Sequence, residues 1–177
     1  MGSLADQPLG DFLEAVAAGT PAPGGGSSAA VACALAASLV EMATVLSGRD
    51  PERPRALRGR ALELAEVELT SYAPVLEAQG SGERAAALLK ASRSPLELAE
   101  LAAEAAELGA EIAQASSAAV RGDALAGVAL AEAASTAAVR LVEINLAESS
   151  ADDVVERARA AGERATEARS ASGGPSD

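Results

Sequence analysis

Acid and base chemistry in this chain would have to come from carboxylates, because the sequence contains 26 acidic residues and no histidine. One candidate is Glu68, which lies one helical turn before the single tyrosine, Tyr72. Pro74 follows closely, and a proline inside a helix removes a hydrogen bond and kinks or ends the helix. The pattern predicts either a pocket wall formed by Glu68 and Tyr72 or a solvent-facing glutamate above a core tyrosine.

Two further carboxylates lie in the segment 120–149. Asp123 follows Gly122, which is expected to end the preceding helix, so Asp123 can cap the next one. Glu132 falls on the apolar face of that next helix and is predicted to point inward. An inward carboxylate must be hydrogen-bonded, paired with an arginine such as Arg121 or Arg140, or protonated. Its role is therefore either a structural ion pair or catalysis.

A glycine-rich turn, TPAPGGGSS, precedes a long apolar helix. Its three glycines, Gly24, Gly25 and Gly26, leave backbone N–H groups unobstructed, and Ser27 or Ser28 is a good N-cap. The N-terminus of such a helix can hold an anion. The turn is thus either an anion or ligand site or only a flexible entry to a core helix.

Basic residues concentrate in the segment 49–60, RDPERPRALRGR. In a chain with a net charge of −12, such a cluster either neutralises neighbouring glutamates or binds an anionic ligand. Arg49 opens this cluster.

The elements that must position these residues are predicted to be helices. Aromatic residues make up 1% of the chain and Ala, Leu and Glu are abundant, so strands have little to be built from. The fold class predicted is all-α, an up-and-down-like bundle around a buried Ala-rich central helix. That helix should end near Gly48 and carry its bulky positions at helical spacing, namely Val31, Leu35, Leu39, Met42 and Leu46.

The other helices are predicted at 9–18, 54–78 with a break at 70–74, 83–91, 95–119, 123–146 and 152–169. The length indicates a single domain, residues 1–170, followed by a Ser/Gly-rich tail, residues 171–177, that is expected to be disordered.

Charge and cysteine content limit the partners. The negative net charge argues against nucleic acid and against an anionic membrane surface. Cys33 is alone and histidine is absent, so neither a disulfide framework nor a metal site is expected, and the predicted location is the reducing cytoplasm. The apolar run 29–46 is rich in Ala rather than Leu or Ile, which is typical of a core helix in a soluble protein.

Two motifs resemble those of one known family. The segment FLEAVAAGTPAPGGGSSAA, residues 12–30, is similar to the opening of the formiminotetrahydrofolate cyclodeaminase and methenyltetrahydrofolate cyclohydrolase family. The segment 123–146 resembles a second family pattern, D-A-G-V-A-x-x-x-A-E-A-A followed by I-N-L. Asp123, Glu132 and Asn145 fall at the matching positions without a gap, and Glu68 and Tyr72 stand where the family has D-x-x-A-[FY].

The resemblance implies a dimeric all-α bundle with a folate cleft formed partly by the glycine turn. It implies either closure of 5-formiminotetrahydrofolate to 5,10-methenyltetrahydrofolate with release of ammonia, or hydrolysis of the methenyl form to 10-formyltetrahydrofolate. No metal, and no cofactor beyond the folate substrate, is expected. Asp123 and Glu68 would be the acid/base pair, and the expected substrate-binding residues are Gly24, Gly25, Gly26, Ser27, Arg49, Tyr72, Arg121, Glu132 and Asn145.

Two departures from the family pattern support an alternative to the enzyme. Glu68 replaces the family's aspartate, and Leu141 occupies a position where the family has asparagine. A non-catalytic folate-binding or helical assembly protein that keeps the fold is therefore the second hypothesis, and convergence of Gly25, Asp123, Glu68 and Arg49 on one cleft would favour the enzyme.

Overall fold

A computed structural model describes residues 3–147 and 151–173, which contain helices and connecting turns but no strand. A short 3₁₀ turn, Leu4–Asp6, precedes eight α-helices. They are α1 (Leu9–Ala17), α2 (Gly25–Leu46), α3 (Glu52–Glu68), α4 (Ala73–Glu77), α5 (Ser81–Ala91), α6 (Arg93–Ala115), α7 (Ala118–Asn145) and α8 (Asp152–Ser172). The predicted all-α class is confirmed.

The long helices form an up-and-down bundle. α7 runs antiparallel to α2, since Gly25 of α2 lies beside Leu141 while Gly127 of α7 lies beside Ala36. α6 packs behind both helices, and α3 and α8 flank them. This arrangement brings the N-terminus of α2, the C-terminus of α3 and the C-terminus of α7 to one end of the bundle.

The core is built from alanine, as predicted, and several of the bulky side chains of α2 lie outside it. Its buried residues are mainly alanines with Cys33 and Val40, whereas the side chains of Leu35, Met42 and Leu46 are 53%, 39% and 61% exposed. The helices approach too closely for larger side chains: a methyl group on Gly109 would lie 2.8 Å from a Val128 methyl carbon. Small residues therefore face inward and the leucines face outward.

Several predicted boundaries differ from the observed ones. α7 begins at Ala118, because Ser117 takes the extended conformation before the helix, so Gly122 does not end a helix and Asp123 does not cap one. α2 begins at Gly25 with Gly24 as its N-cap, so neither Ser27 nor Ser28 has that role. α8 extends to Ser172, into the predicted tail; residues 174–177 lie outside the described residues.

The arginine cluster mostly neutralises glutamates. Arg55 and Arg58 both bind Glu41 at 2.9 Å, and the Arg58 hydrogen bond holds the pKa of that carboxyl below its ordinary value. Arg53 pairs with Glu104 at 2.5 Å. Ion pairs this exposed contribute at most about 1 kcal/mol each. They connect α3 to α2 and to α6 but add little to the stability of the bundle.

Two of the described helices, α2 and α7, are long and apolar enough to span a membrane, with mean hydropathy of 2.0 and 1.5. Half of the α2 window and 39% of the α7 window are buried inside the bundle. Core helices of soluble proteins pass the same test, so the expected lack of a membrane partner stays a prediction.

Candidate active site

A cleft of about 140 Å³ opens at the end of the bundle where α2 begins. It contains seven residues predicted to form the site, namely Gly24, Gly25, Gly26, Ser27, Glu68, Tyr72 and Asn145. The remaining wall is formed by Pro21, Ser71, Ala91, Pro95 and Leu141. The structure therefore brings the glycine turn, the Glu68–Tyr72 pair and the end of α7 into one place.

Glu68 reaches the cleft because α3 ends there. It is the last residue of α3, and the chain turns through Leu69–Tyr72 before α4 begins. Pro74 enforces the break, since a helix continuing through it would lose a hydrogen bond and bring the proline ring against the carbonyl of Thr70. The predicted break at 70–74 is therefore confirmed, and it directs the Glu68 side chain towards α2.

The Glu68 carboxyl lies directly against Gly26, in the first turn of α2. A Cβ added to Gly26 would stand 1.9 Å from Glu68 Oε2, closer than any real contact allows. Only glycine leaves room for the carboxyl in this position. The neighbouring Gly25 is different, because its added Cβ would meet only a methyl carbon of Leu141 at 3.8 Å, an ordinary contact.

Glu68 lacks the partners that a buried carboxylate needs. Its Oε1 is buried and accepts no hydrogen bond. Burial raises the pKa of Glu68 above its ordinary value, and the nearby hydroxyls of Ser94 and Ser71 oppose this shift only in part. Neither hydroxyl bonds to Oε1; that of Ser71 donates instead to the Glu68 main-chain oxygen at 3.5 Å. A carboxyl in this environment keeps its proton to higher pH and can act as an acid.

Two buried hydroxyls near Glu68 are also without partners. Ser27 Oγ and Ser94 Oγ join Glu68 Oε1 as the buried side-chain polar atoms that lack a hydrogen bond within residues 3–147 and 151–173. Folded proteins normally satisfy such atoms. Ser27 and Glu68 line this cleft, and Ser94 lies next to the Glu68 carboxyl. A molecule bound in the cleft would therefore find two buried polar atoms that need partners.

The first turn of α2 supplies additional donors. The N–H groups of Gly25, Gly26 and Ser27 have no acceptor within the helix, since the first intrahelical bond runs from Ser28 N to Gly24 O at 3.0 Å. They carry the positive end of the helix dipole, which favours a negatively charged or electron-rich ligand group. The cleft thus offers hydrogen-bond donors and a proton-bearing carboxyl within one small space.

The predicted convergence of Asp123 and Arg49 on this cleft is not found within one chain. Asp123 is exposed near the start of α7, about six turns and roughly 33 Å before Asn145. Arg49 follows the C-terminal end of α2, whereas the cleft lies at its N-terminal end. Arg121 lies beside Asp123 at that far end. Sequence spacing does not predict this separation, because the separation depends on which end of each helix meets the next.

Glu132 also lies away from the cleft. Its side chain is 29% exposed and its Oε2 lies 3.7 Å from Arg169 of α8. The structural ion pair that the sequence allowed is therefore present, but its partner is neither Arg121 nor Arg140. Arg140 instead binds Glu143 at 2.8 Å. A partner from α8 could not be foreseen, because the pairing depends on the packing of α8 against α7.

Sequence reasoning missed Ser71 and Ser94 as site residues. In the sequence, Ser94 precedes Pro95, a pair that is typical of a helix start, and Pro95 lines the cleft. Serine at a helix start is normally an N-cap, so no signal distinguished this hydroxyl from a structural one. Only the packing of α6 against α3 shows that the Ser94 hydroxyl is buried without a hydrogen-bond partner.

Comparisons with known proteins agree with this geometry. A family model described as formiminotransferase-cyclodeaminase matches residues 8–53 and 64–164. A crystal structure of formiminotetrahydrofolate cyclodeaminase from Thermotoga maritima superposes with a TM-score of 0.89 at 21% sequence identity, covering 95% of this chain and 94% of that chain. No protein with a curated description matches. The structural likeness establishes the shared fold, and the family match spans most of the sequence, including the glycine turn, Glu68 and Asn145. This chain belongs to the formiminotransferase-cyclodeaminase family.

Proposed function

We propose that the protein is an enzyme of one-carbon folate metabolism that uses Glu68 as its proton donor. The reaction is either ring closure of 5-formiminotetrahydrofolate with loss of ammonia or hydrolysis of 5,10-methenyltetrahydrofolate. Membership of the family supports the substrate class. The observation that carries the proposal is the buried Glu68 oxygen without a hydrogen bond, in a cleft that is also lined by Ser27, whose hydroxyl lacks a partner.

In the ring closure, N10 of the folate attacks the carbon of the protonated formimino group on N5, and a tetrahedral carbon that bears an amino group forms. N10 gives its proton to a base, and the amino group takes a proton from Glu68 and leaves as ammonia. In the hydrolysis, water adds to the methenyl carbon and loses one proton to the base, and Glu68 protonates N5 as the bond from that carbon to N5 breaks. The remaining hydroxyl proton passes to the Glu68 carboxylate as the formyl C=O forms. Both reactions need one acid and one base.

The cleft is suited to the reacting part of the substrate rather than to all of it. Its volume of about 140 Å³ is below the 300–1,000 Å³ typical of sites that enclose a whole ligand. The one-carbon unit and its two nitrogens fit beside Glu68 and the first turn of α2. The remaining groups of the folate then extend beyond the cleft, and no cofactor besides the substrate is required.

A second copy of the chain would extend the site. The outer surface of α2 and α7 is exposed and apolar, and we call it the α2–α7 face; it includes Leu35, Met42, Leu46, Ala126, Ala133, Ala137 and Ile144. Exposed apolar patches of this kind mark interaction surfaces, and small residues allow close helix packing. We therefore propose a homodimer formed through this face, in the cytoplasm.

Such a dimer would also give Asp123 a role. We place the two-fold axis in the α2–α7 face and at right angles to the helices, which lays each end of one bundle over the opposite end of its partner. Asp123 of the partner subunit would then approach the cleft that contains Glu68. Its carboxylate is suited in chemistry to accept the proton from N10 or from water. The active site would be shared between subunits.

The test is an absorbance assay in the methenyltetrahydrofolate band, run with purified protein. With 5-formiminotetrahydrofolate, appearance of the band and release of ammonia would identify a cyclodeaminase. With 5,10-methenyltetrahydrofolate, accelerated loss of the band would identify a cyclohydrolase. Glu68→Gln should lose the activity observed. Folate binding without turnover of either substrate would reject the enzyme and favour the non-catalytic folate-binding protein.

Mixed dimers test the shared site. Glu68→Gln and Asp123→Asn homodimers should each be inactive, but random exchange of their subunits restores one intact site in each hybrid. About a quarter of the wild-type activity should then return. If the mixture stays inactive although mass spectrometry detects hybrid dimers, Asp123 of the partner subunit does not serve the cleft of Glu68.

A further inference from the structure

A second pocket adjoins the candidate active site. It has a volume of about 340 Å³ and is lined by residues that include Thr70, Ser71, Pro74, Lys90, Arg93 and Ser94. Ser71 lines both pockets, and Ser94 lies next to the Glu68 carboxyl. The two pockets are therefore the two sides of one short wall, with the proposed proton donor between them.

The cations in the second pocket are unlike most others in this protein. Most of the arginines in the described residues form ion pairs with glutamates, namely Arg53, Arg55, Arg58, Arg60, Arg140, Arg157, Arg159, Arg164 and Arg169. By contrast, the side chains of Lys90 and Arg93 make no ion pair or hydrogen bond with any residue that the structure describes. In a chain with a net charge of −12, two cations left without carboxylates in one pocket form a local positive site.

A buried hydroxyl points to a ligand at the same place. Ser94 is 8% exposed, and its Oγ has no hydrogen-bond partner. A ligand oxygen in the second pocket would satisfy this hydroxyl while its charge is neutralised by Lys90 and Arg93. The pocket thus combines two free positive charges with an unsatisfied donor.

We propose that the second pocket binds the carboxylates of the substrate's glutamate tail. This inference rests on the proposed function, because it takes a reduced folate as the ligand of the first cleft. The one-carbon unit would lie beside Glu68, and the tail would pass Ser71 to reach Lys90 and Arg93. Arg49, which the resemblance made a substrate-binding residue, lies at the other end of α2 from these two cations. The tail would otherwise meet a surface that repels it.

Calorimetry with stable ligands tests the assignment. The probes are 5-formyltetrahydrofolate, its tetrahydropteroate analogue without glutamate, and a tri-γ-glutamate peptide. In the Lys90→Gln/Arg93→Gln variant, affinity for the folate should fall about 10- to 30-fold, because two charge-assisted contacts are lost. Affinity for the pteroate analogue should not change. Arg157→Gln is the control, since this exposed arginine of α8 pairs with Glu100 and lines neither pocket, and it should leave all affinities unchanged.

The other outcomes separate this inference from the proposed function. If the wild-type protein binds the folate and the pteroate equally, or if the double variant weakens both equally, the tail does not occupy the second pocket, although folate binding stands. If neither ligand binds but the tri-γ-glutamate peptide binds the wild type and not the double variant, the anion site stands and the proposed function fails. No binding of any probe overturns both.

Discussion

Replacing Gly26 by alanine should separate activity from stability. The added Cβ would lie 1.9 Å from Glu68 Oε2, 2.6 Å from its Cδ and 2.9 Å from its Cγ. To regain an ordinary contact of 3.4 Å, Oε2 must retreat by about 1.5 Å. The crowded atoms are the end of a flexible side chain rather than backbone, so the carboxyl moves and the helix does not.

The substitution should change stability and activity in opposite directions. Gly→Ala inside a helix stabilises by about 0.5–1 kcal/mol through the lower entropy of the unfolded chain, so we expect the free energy of unfolding to stay equal or rise. Displacement of a catalytic group by about 1 Å can cost about 100-fold in rate. We therefore expect kcat/KM for the folate substrate to fall roughly 100-fold, mostly through kcat.

Gly25→Ala is the matched control, since it adds the same methyl group one residue earlier in the same helix. Its Cβ would meet only Leu141 at 3.8 Å, so kcat/KM should stay within about threefold of the wild type. The assay is steady-state kinetics on both variants, with urea unfolding to measure stability. A stable Gly26→Ala protein with full activity would refute the placement of the proton donor against Gly26.

A double variant tests whether the loss acts through Glu68. Glu68→Asp shortens the side chain by one methylene and should relieve the contact with Ala at position 26. The two substitutions should then be non-additive, with Glu68→Asp costing less activity in the Gly26→Ala background than alone. Additive losses would mean that the methyl group acts by another route, such as blocking the ligand.

Three further perturbations have defined outcomes. Burial raises the pKa of Glu68, so ionisation destabilises the fold as pH rises through the interval from its ordinary to its raised pKa. Wild-type kcat should fall as pH rises through the raised pKa, because the folded enzyme then loses its proton donor. Glu68→Gln removes this penalty and should stabilise the protein at neutral pH by about 1 kcal/mol, a value reduced for partial exposure. Below about pH 4 the variant should gain nothing over the wild type. If urea unfolding shows variant and wild type equally stable at both pH values, the raised pKa is contradicted. Leu35→Glu puts a charge on the α2–α7 face and should give monomers by ultracentrifugation if the wild type is dimeric; an unchanged dimer would place the interface elsewhere. Gly109→Ala crowds Val128 at 2.8 Å and should lower the free energy of unfolding by about 1–3 kcal/mol, whereas Gly122→Ala, with open space around it, should not.

The sequence predicted the fold class and one end of the site because those depend on local chemistry. A chain rich in alanine and poor in aromatics forms helices, Pro74 breaks one of them, and three glycines mark a close approach. The position of Glu68 beside the glycine turn then follows from a single helix–helix contact. The acidic residue four positions before the only tyrosine was thus a sound candidate for this cleft.

Other expectations failed where the outcome depends on packing between distant segments. Hydrophobic periodicity located the bulky positions of α2 but not the face that points inward. The close approach of α2, α6 and α7 admits only small side chains there and leaves Leu35 outside. Gly122 was expected to end a helix, yet glycine costs only about 1 kcal/mol within one. Asp123 and Arg49 lie far from Glu68 because long antiparallel helices carry residues to opposite ends.

The floor of the cleft consists largely of main chain, since Gly24, Gly25 and Gly26 have no side chains. An inhibitor that hydrogen-bonds to the first turn of α2 would therefore contact N–H groups that every substitution except proline retains. Gly26 cannot gain a side chain without displacing Glu68, so a resistance substitution at that position would also displace the proton donor. Drug resistance would have to arise at the cleft's side walls, at Tyr72, Leu141 or Asn145, which makes those positions the ones to monitor in selection experiments.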